Sequence, residues 1–236
     1  MASEFHTTCW TMVLDAGGDD SQVRKPALEE LCRRYWMPLH AYVRGHARSD
    51  QDAEDLTQSF FALLLEKNLP GRATPERGRF RAFLLTSARN FIHSELQKSS
   101  AIKRAGLGAA LSLDDDSLGL KNTIPDTDTP ERAYDRKWAH TVIHLALESL
   151  AAEQAALNQK ERFEQLRPLI FEGAGKFVDQ AALSARLGVQ EGALRTMISR
   201  LRARFRDHIR AEVSRIVDDP ADVDAELAHL LSVLRG

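Results

Sequence analysis

The sequence predicts an all-α protein: two helical domains joined by a flexible acidic linker, the C-terminal one containing a helix-turn-helix. Three observations carry that prediction. Apolar residues recur at spacings of three and four through most of the 236 residues. The period lapses between about Ala105 and Pro130, where "GLGAALSLDDDSLGLKNTIPDTDTP" is rich in Gly, Asp, Ser and Thr. Near the C-terminus a short helical pattern meets Gly188-Val189-Gln190 and restarts at Glu191. The expected domains are therefore 1–104 and 131–236, with a linker over 105–130.

The first long element is "KPALEELCRRYWMPLHAYVRGHA", 25–47. Leu28, Leu31, Cys32, Tyr35, Trp36, Leu39 and Val43 form its apolar stripe. Pro26 suits a first helical position, and Pro38 kinks the helix rather than ending it, because the stripe continues past it. Cys32 reads as a small buried apolar residue, and with Cys9 it forms no metal or redox spacing.

"DQDAEDLTQSFFALLLE", 50–66, is the second helix, with five acidic side chains and no basic one. Ser49 is a good N-cap, and Asp52 lies in the first turn, where the helix dipole favours anions. Ala53, Leu56, Phe60, Leu63 and Leu64 face a core. Asp52, Asp55, Thr57, Gln58 and Ser59 are left on or near the outer face.

After a Pro- and Gly-punctuated loop, "FRAFLLTSARNFIHSELQKSSAIKR", 80–104, forms a third helix that is basic at its edges and far end. Beyond the linker, 129–154 restarts helix around Trp138, Val142, Leu145 and Leu150, and "NQKERFEQLRPLIF" continues it. A short helix from Asp179 to Leu187 precedes the turn. In the longer helix from Glu191, Leu194, Ile198, Leu201 and Phe205 share an apolar sector. Gly192, Thr196, Ser199 and Ala203 project opposite, flanked by Arg195, Arg200 and Arg206. Small and hydroxyl residues let a helix enter a major groove, and flanking arginines reach phosphates or base edges. The final "DDPADVDAELAHLLSVL" reads as a capped helix packing on the C-terminal domain.

Composition sets the frame. Hydrophobic residues are 43% and charged residues 28%, as in soluble globular proteins. The sequence has no apolar run of about 18 residues and no secretory signal pattern, so a cytoplasmic protein with no membrane partner is expected. The net charge of −2 is unusual for a protein that binds nucleic acid unaided. The charge is segregated, however. Residues 71–104 carry eight basic side chains against two acidic ones, and 191–210 carry six arginines against Glu191 and Asp207. The acids concentrate in 50–66 and 112–131.

Taken together, these segments resemble a sigma-70 family RNA polymerase sigma factor of the extracytoplasmic-function (ECF) type, over most of 25–104 and 131–210. "DAEDLTQSFFALLLE" resembles the helix that docks on the β′ clamp helices of core polymerase. "FRAFLLTSARNFIHSELQKS" resembles the helix that recognises and melts the −10 element. "LSARLGVQEGALRTMISRLRARFR" resembles the helix-turn-helix that reads the −35 element. The resemblance implies core RNA polymerase (β′ clamp helices and β flap) and promoter DNA as partners, and a role in promoter recognition and transcription initiation.

Carried over residue by residue, it implies polymerase docking by Asp52, Glu54, Asp55, Gln58 and Ser59. It implies −10 contacts by Arg79, Arg81, Phe83, Arg89, Asn90 and Lys98, and −35 contacts by Arg195, Thr196, Ser199, Arg200 and Arg206. Three positions depart from the pattern. Ser59 stands where the family usually has an acid, Phe83 where it usually has Trp, and "QKSSAIKR" interrupts the basic tail. The missing acid motivates control by phosphorylation at Thr57, or at Ser59, by a Ser/Thr kinase; an anti-sigma factor is the other expected regulator.

Catalysis is not expected. There is no nucleophile–base set. Asp114 does not open a calcium loop, since Leu118 falls where oxygen is needed and Pro125 where Glu is needed. "EGAGKF", 172–177, lacks the earlier Gly and preceding strand of a phosphate loop, and His140 and His144 lack a third metal ligand. No cofactor and no metal are implied. The alternative reading is a freestanding helix-turn-helix regulator, which would bind duplex DNA without polymerase and leaves the acidic helix unexplained.

Overall fold

The computed structural model describes residues 9–74, 79–106, 129–171, 179–215, 217 and 220–235. Among them every regular element is helical. The helices are α1 (Cys9–Gly17), α2 (Ser21–Arg44), α3 (Asp50–Glu66), α4 (Phe80–Gly106), α5 (Pro130–Ala156), α6 (Lys160–Leu166), α7 (Gln180–Leu187), α8 (Glu191–Ser214) and α9 (Val223–Arg235). The linker proper, the Asp114 segment and the 172–177 segment lie outside the described residues.

Local chemistry sets the helix ends. Ser49 Oγ accepts the Asp52 N–H at 3.1 Å, and Asp52 Oδ2 accepts the Arg48 N–H at 2.9 Å, so α3 starts where its cap predicts. Helix α2 starts earlier than Pro26 suggests. The Asp20 carboxylate accepts the Gln22 N–H at 2.9 Å, which starts the helix a turn sooner. The helix then runs unbroken through Pro26 and Pro38.

The chain divides into two compact units, residues 1–141 with 215–236, and residues 142–214. This differs from the expected division in two ways. The boundary falls inside α5, and α9 belongs with the N-terminal helices rather than with α7 and α8. The reason is in the side chains of α9, whose buried Glu226 meets Arg79 and Arg81.

The core of the larger unit is aromatic. Tyr35 meets Phe80 edge-on with centroids 5.5 Å apart, Trp36 stacks on Phe61 at 5.1 Å, and Phe60 tilts against Phe91 at 5.7 Å. These pairs tie α2, α3 and α4 together. Helix α1 sits against the turn at Pro70–Arg72, where Gly17 and Gly71 approach so closely that a Cβ on Gly17 would lie 2.5 Å from the Gly71 Cα. The Asn68 side-chain amide donates to the Gly17 carbonyl at 2.8 Å across that junction.

The smaller unit has its own core. Leu147, Leu150, Phe163, Leu166, Leu169 and Leu183 enclose Leu194, Ile198, Leu201 and Phe205 of α8. The four α8 residues are those the apolar sector predicts. Asp179 caps α7, its carboxylate accepting the N–H groups of Ala181 and Ala182 at 3.0 Å. Gly188 ends α7 in the left-handed region, φ 64°, the conformation glycine adopts at least cost.

Candidate functional site

The acidic helix presents the face its pattern requires, with one exception. Glu54, Asp55, Gln58 and Ser59 are exposed and adjoin one another on α3, while Asp52 is half-buried at the cap. Asp52 is thus partly a structural residue, since its carboxylate holds the Arg48 backbone. Thr57 is not on this face. It is 0% exposed, and its hydroxyl donates to the Ala53 carbonyl at 2.6 Å. A kinase cannot reach it while α3 is packed, so the expectation of phosphorylation at Thr57 is corrected. The spacing held the signal: Ala53, Thr57, Phe60 and Leu64 follow one helical stripe, and a hydroxyl can be buried there by bonding back to the fourth carbonyl behind it. Ser59 remains accessible.

Helix α4 divides the expected −10 residues into two groups. Arg89, Asn90 and Lys98 are exposed, and Thr86, His93 and Gln97 extend the same polar stripe at helical spacing. Sequence reasoning missed these three because none is charged. Arg89 donates to Glu131 Oε1 at 2.8 Å and approaches Tyr42 Oη at 3.4 Å. Those hydrogen bonds, Tyr42 first, hold its guanidinium pKa above the ordinary arginine value. Burial raises the Glu131 carboxyl, but its own backbone N–H and Arg89 outweigh that and leave it below the usual range. Next to them, burial lowers the His46 imidazole pKa. Lys98 pairs one turn back with Glu95 at 2.7 Å.

Arg79, Arg81 and Phe83 lie differently from the expectation. Phe83 is half-buried and stacks on Phe80, with centroids 6.0 Å apart. Arg81 keeps only 11% of its side chain exposed. Its Nη1 donates to Asp135 Oδ1 at 2.6 Å, its Nε lies 3.0 Å from Glu226 Oε1, and its guanidinium sits 4.6 Å above the Trp138 ring. Tyr134 donates its hydroxyl to the Arg81 carbonyl at 3.1 Å. Arg79 pairs with the other oxygen of Glu226. Two of the expected nucleic-acid contacts are thus engaged by acids of the chain itself, from α5 and α9.

In the smaller unit Arg195, Thr196, Ser199, Arg200 and Arg206 are all exposed on one side of α8, opposite its buried residues. Arg195 pairs with Glu191 at 3.2 Å, a surface contact that holds it weakly. A cleft of about 390 Å³ is lined by Gln180, Arg195, Ser199, Arg202 and Arg206. Arg202, which no sequence pattern singles out, is fixed there by donating to the Leu169 carbonyl at 3.0 Å. Arg204 turns the other way, to Glu153 at 2.7 Å, where His208 Nε2 also lies 2.6 Å from that carboxylate. Burial raises the Glu153 carboxyl, but these two partners outweigh it and lower its pKa.

Cys32 is half-buried with a free thiol, whose pKa burial and Glu29 push up. No group of side chains able to hold a metal ion is found among the described residues. None of the described helices is long and apolar enough to cross a membrane.

No curated protein and no solved structure matches the chain significantly. Residues 31–102, which run from the middle of α2 to the end of the α4 polar stripe, match the family model described as Sigma-70 region 2. That match covers under half of the chain, and it supports a sigma-70 family member with a role in transcription initiation, engaging core RNA polymerase and promoter DNA.

Proposed function

We propose that this protein is an ECF-type sigma factor that carries core RNA polymerase to promoters and helps open them. The observation that carries the reading is the exposed acidic face of α3, Glu54, Asp55, Gln58 and Ser59, inside the segment that matches sigma-70 region 2. An acidic face does not seek DNA. It suits a basic surface on a protein partner, here the β′ clamp helices, and opposite charge chiefly gives fast and specific assembly. The partner then supplies much of the DNA affinity, which accommodates a net charge of −2.

In this reading the α4 stripe with Arg79, Arg81, Phe83, Arg89, Asn90 and Lys98 engages the −10 strand and holds an unstacked base. Helices α7 and α8 act as a helix-turn-helix on the −35 element. Thr196 and Ser199 enter the major groove, and Arg195, Arg200 and Arg206 reach phosphates or base edges. The same unit meets the β flap. A phosphate on Ser59 would restore the negative charge that the family pattern carries at this position; an anti-sigma factor would act by covering the same face.

The test is transcription in vitro from a promoter library with core polymerase, with and without this chain. Initiation that depends on the chain and selects a −35/−10 pair supports the reading. Tight duplex binding without polymerase, and no initiation with it, would replace it with a freestanding regulator.

A further inference from the structure

The arginines assigned to the −10 strand already hold an anion of the chain's own. Glu226, on α9, is 0% exposed and lies between Arg79 and Arg81. Arg81 in turn is closed in by Asp135 and Trp138, and His229 of α9 tilts against Trp138, centroids 6.2 Å apart, with its Nε2 3.9 Å from Asp135 Oδ2. With α9 in place, Arg81 cannot present its fork to a phosphate.

We propose that α9 is an internal competitor for the nucleic-acid strand: Glu226 occupies Arg79 and Arg81 in the free chain, and the strand binds only as α9 leaves. The inference rests on the reading of α4 as a promoter face.

Three features make the contact exchangeable. First, the chemistry is matched, since an arginine fork that takes a carboxylate also takes a phosphate oxygen. Second, the Glu226 carboxylate is poorly compensated. Both oxygens are in ion-pair range of an arginine, but neither meets hydrogen-bond geometry with a donor among the described residues. Burying a carboxylate on ion pairs alone leaves much of its desolvation cost standing. Third, α9 meets α4 and α5 through Arg79, Arg81, Asp135, Trp138 and its own Glu226 and His229, and the apolar side chains it buries are two, Val223 and Leu230. Those contacts separate without rebuilding the aromatic core of α2, α3 and α4.

A competitor of this kind lowers apparent strand affinity by the fraction of chains in which α9 is away. Weakening it exposes the arginines and raises affinity, whereas a merely structural helix would lower affinity when weakened.

The experiment uses the full chain and a fluorescein-labelled single-stranded DNA pool of about 15 nucleotides, at about 50 mM salt. Anisotropy gives the affinity of wild type, Glu226→Gln and Arg89→Ala. Hydrogen exchange follows residues 223–235 of wild type with and without saturating DNA, and this arm needs no variant to fold. Glu226→Gln is expected to bind about five-fold or more tightly than wild type, and DNA is expected to speed exchange over 223–235. Equal or weaker binding by a folded Glu226→Gln overturns the competitor. So does exchange over 223–235 that DNA leaves unchanged or slows. In both cases weaker binding by Arg89→Ala shows that the promoter-face reading survives. If wild type and Glu226→Gln both fail to bind, and core polymerase with either gives no initiation, the promoter-face reading and the competitor fall together.

Discussion

Arg81 and Glu226 stand 145 residues apart in sequence and 3.0 Å apart in space, the carboxylate fully buried and the guanidinium nearly so. Breaking one side of a buried ion pair costs more than replacing both, because the survivor is left charged and uncompensated. Arg81→Met is expected to lower stability by about 3 kcal/mol, and adding Glu226→Met is expected to restore most of it. Urea unfolding followed by tryptophan fluorescence reads this directly, since all three tryptophans lie in the unit that contains the pair. Equal losses in single and double variants would show that the pair contributes little.

On the proposed reading, Glu54 and Asp55 dock while Asp52 serves the helix start. Glu54→Lys with Asp55→Lys is expected to abolish retention by immobilised core polymerase and leave the unfolding curve within about 0.5 kcal/mol of wild type. Asp52→Ala is expected to cost about 1 kcal/mol of stability, through the lost Arg48 contact and first-turn charge. Undiminished retention of the double lysine variant would rule out α3 as the docking face.

On α8, Arg195→Ala and Arg200→Ala are each expected to weaken −35-dependent transcription by about 1–3 kcal/mol, provided each arginine meets a base. Both side chains are exposed, so folding is unaffected. Circular dichroism checks the fold, and transcription from promoters with intact and scrambled −35 elements checks the contact. Unchanged transcription in both variants would mean that α8 presents another side to DNA.

Gly188→Ala is expected to destabilise the smaller unit by about 1–2 kcal/mol. Open space surrounds the position, so a methyl group meets nothing; the cost comes entirely from φ 64°. Gly188→Asn is expected to lose less, since Asn tolerates the left-handed region better. Thermal unfolding by circular dichroism ranks the two.

His46 gives the larger unit a pH dependence in mild acid. Burial first, then Arg89, lowers its folded pKa below 6.5, against an opposing pull from Glu131. A lowered histidine pKa means that the unfolded chain takes up the proton first. The stability contribution is complete above pH 6.5 and is lost as pH falls from there through the folded value. Its Nε2 is buried with no partner among the described residues, so a proton there would be left unpaired. Urea midpoints of wild type are expected to fall between pH 7.5 and 5.5, and His46→Gln is expected to flatten that decline. Parallel declines would assign the effect to other groups.

Much of the local structure was legible because it is set by neighbours within one or two turns. Ser49 caps where its side chain reaches the Asp52 N–H. Gly188 ends α7 where φ must be positive. The apolar sector of α8 fell inward as its spacing required, and that alone placed Arg195, Thr196, Ser199, Arg200 and Arg206 together on the exposed side. The acidic face of α3 followed in the same way, except at Thr57. There position outweighs polarity: Thr57 lies on the buried stripe, and the bond to the Ala53 carbonyl is what makes burial tolerable.

The tertiary structure alone decided which charges meet. Helical periodicity says which side of α4 carries Arg81 and which side of α9 carries Glu226, but it holds no information about whether those sides face each other. That depends on where the chain returns after α8, over a sequence separation that no local pattern spans. The sequence therefore determined that this protein is a set of capped amphipathic helices with an acidic and a basic surface. Only packing decided that α9 lies with the N-terminal helices, with Glu226 against Arg79 and Arg81, because a buried ion pair is a long-range contact fixed by the whole unit and not by either helix.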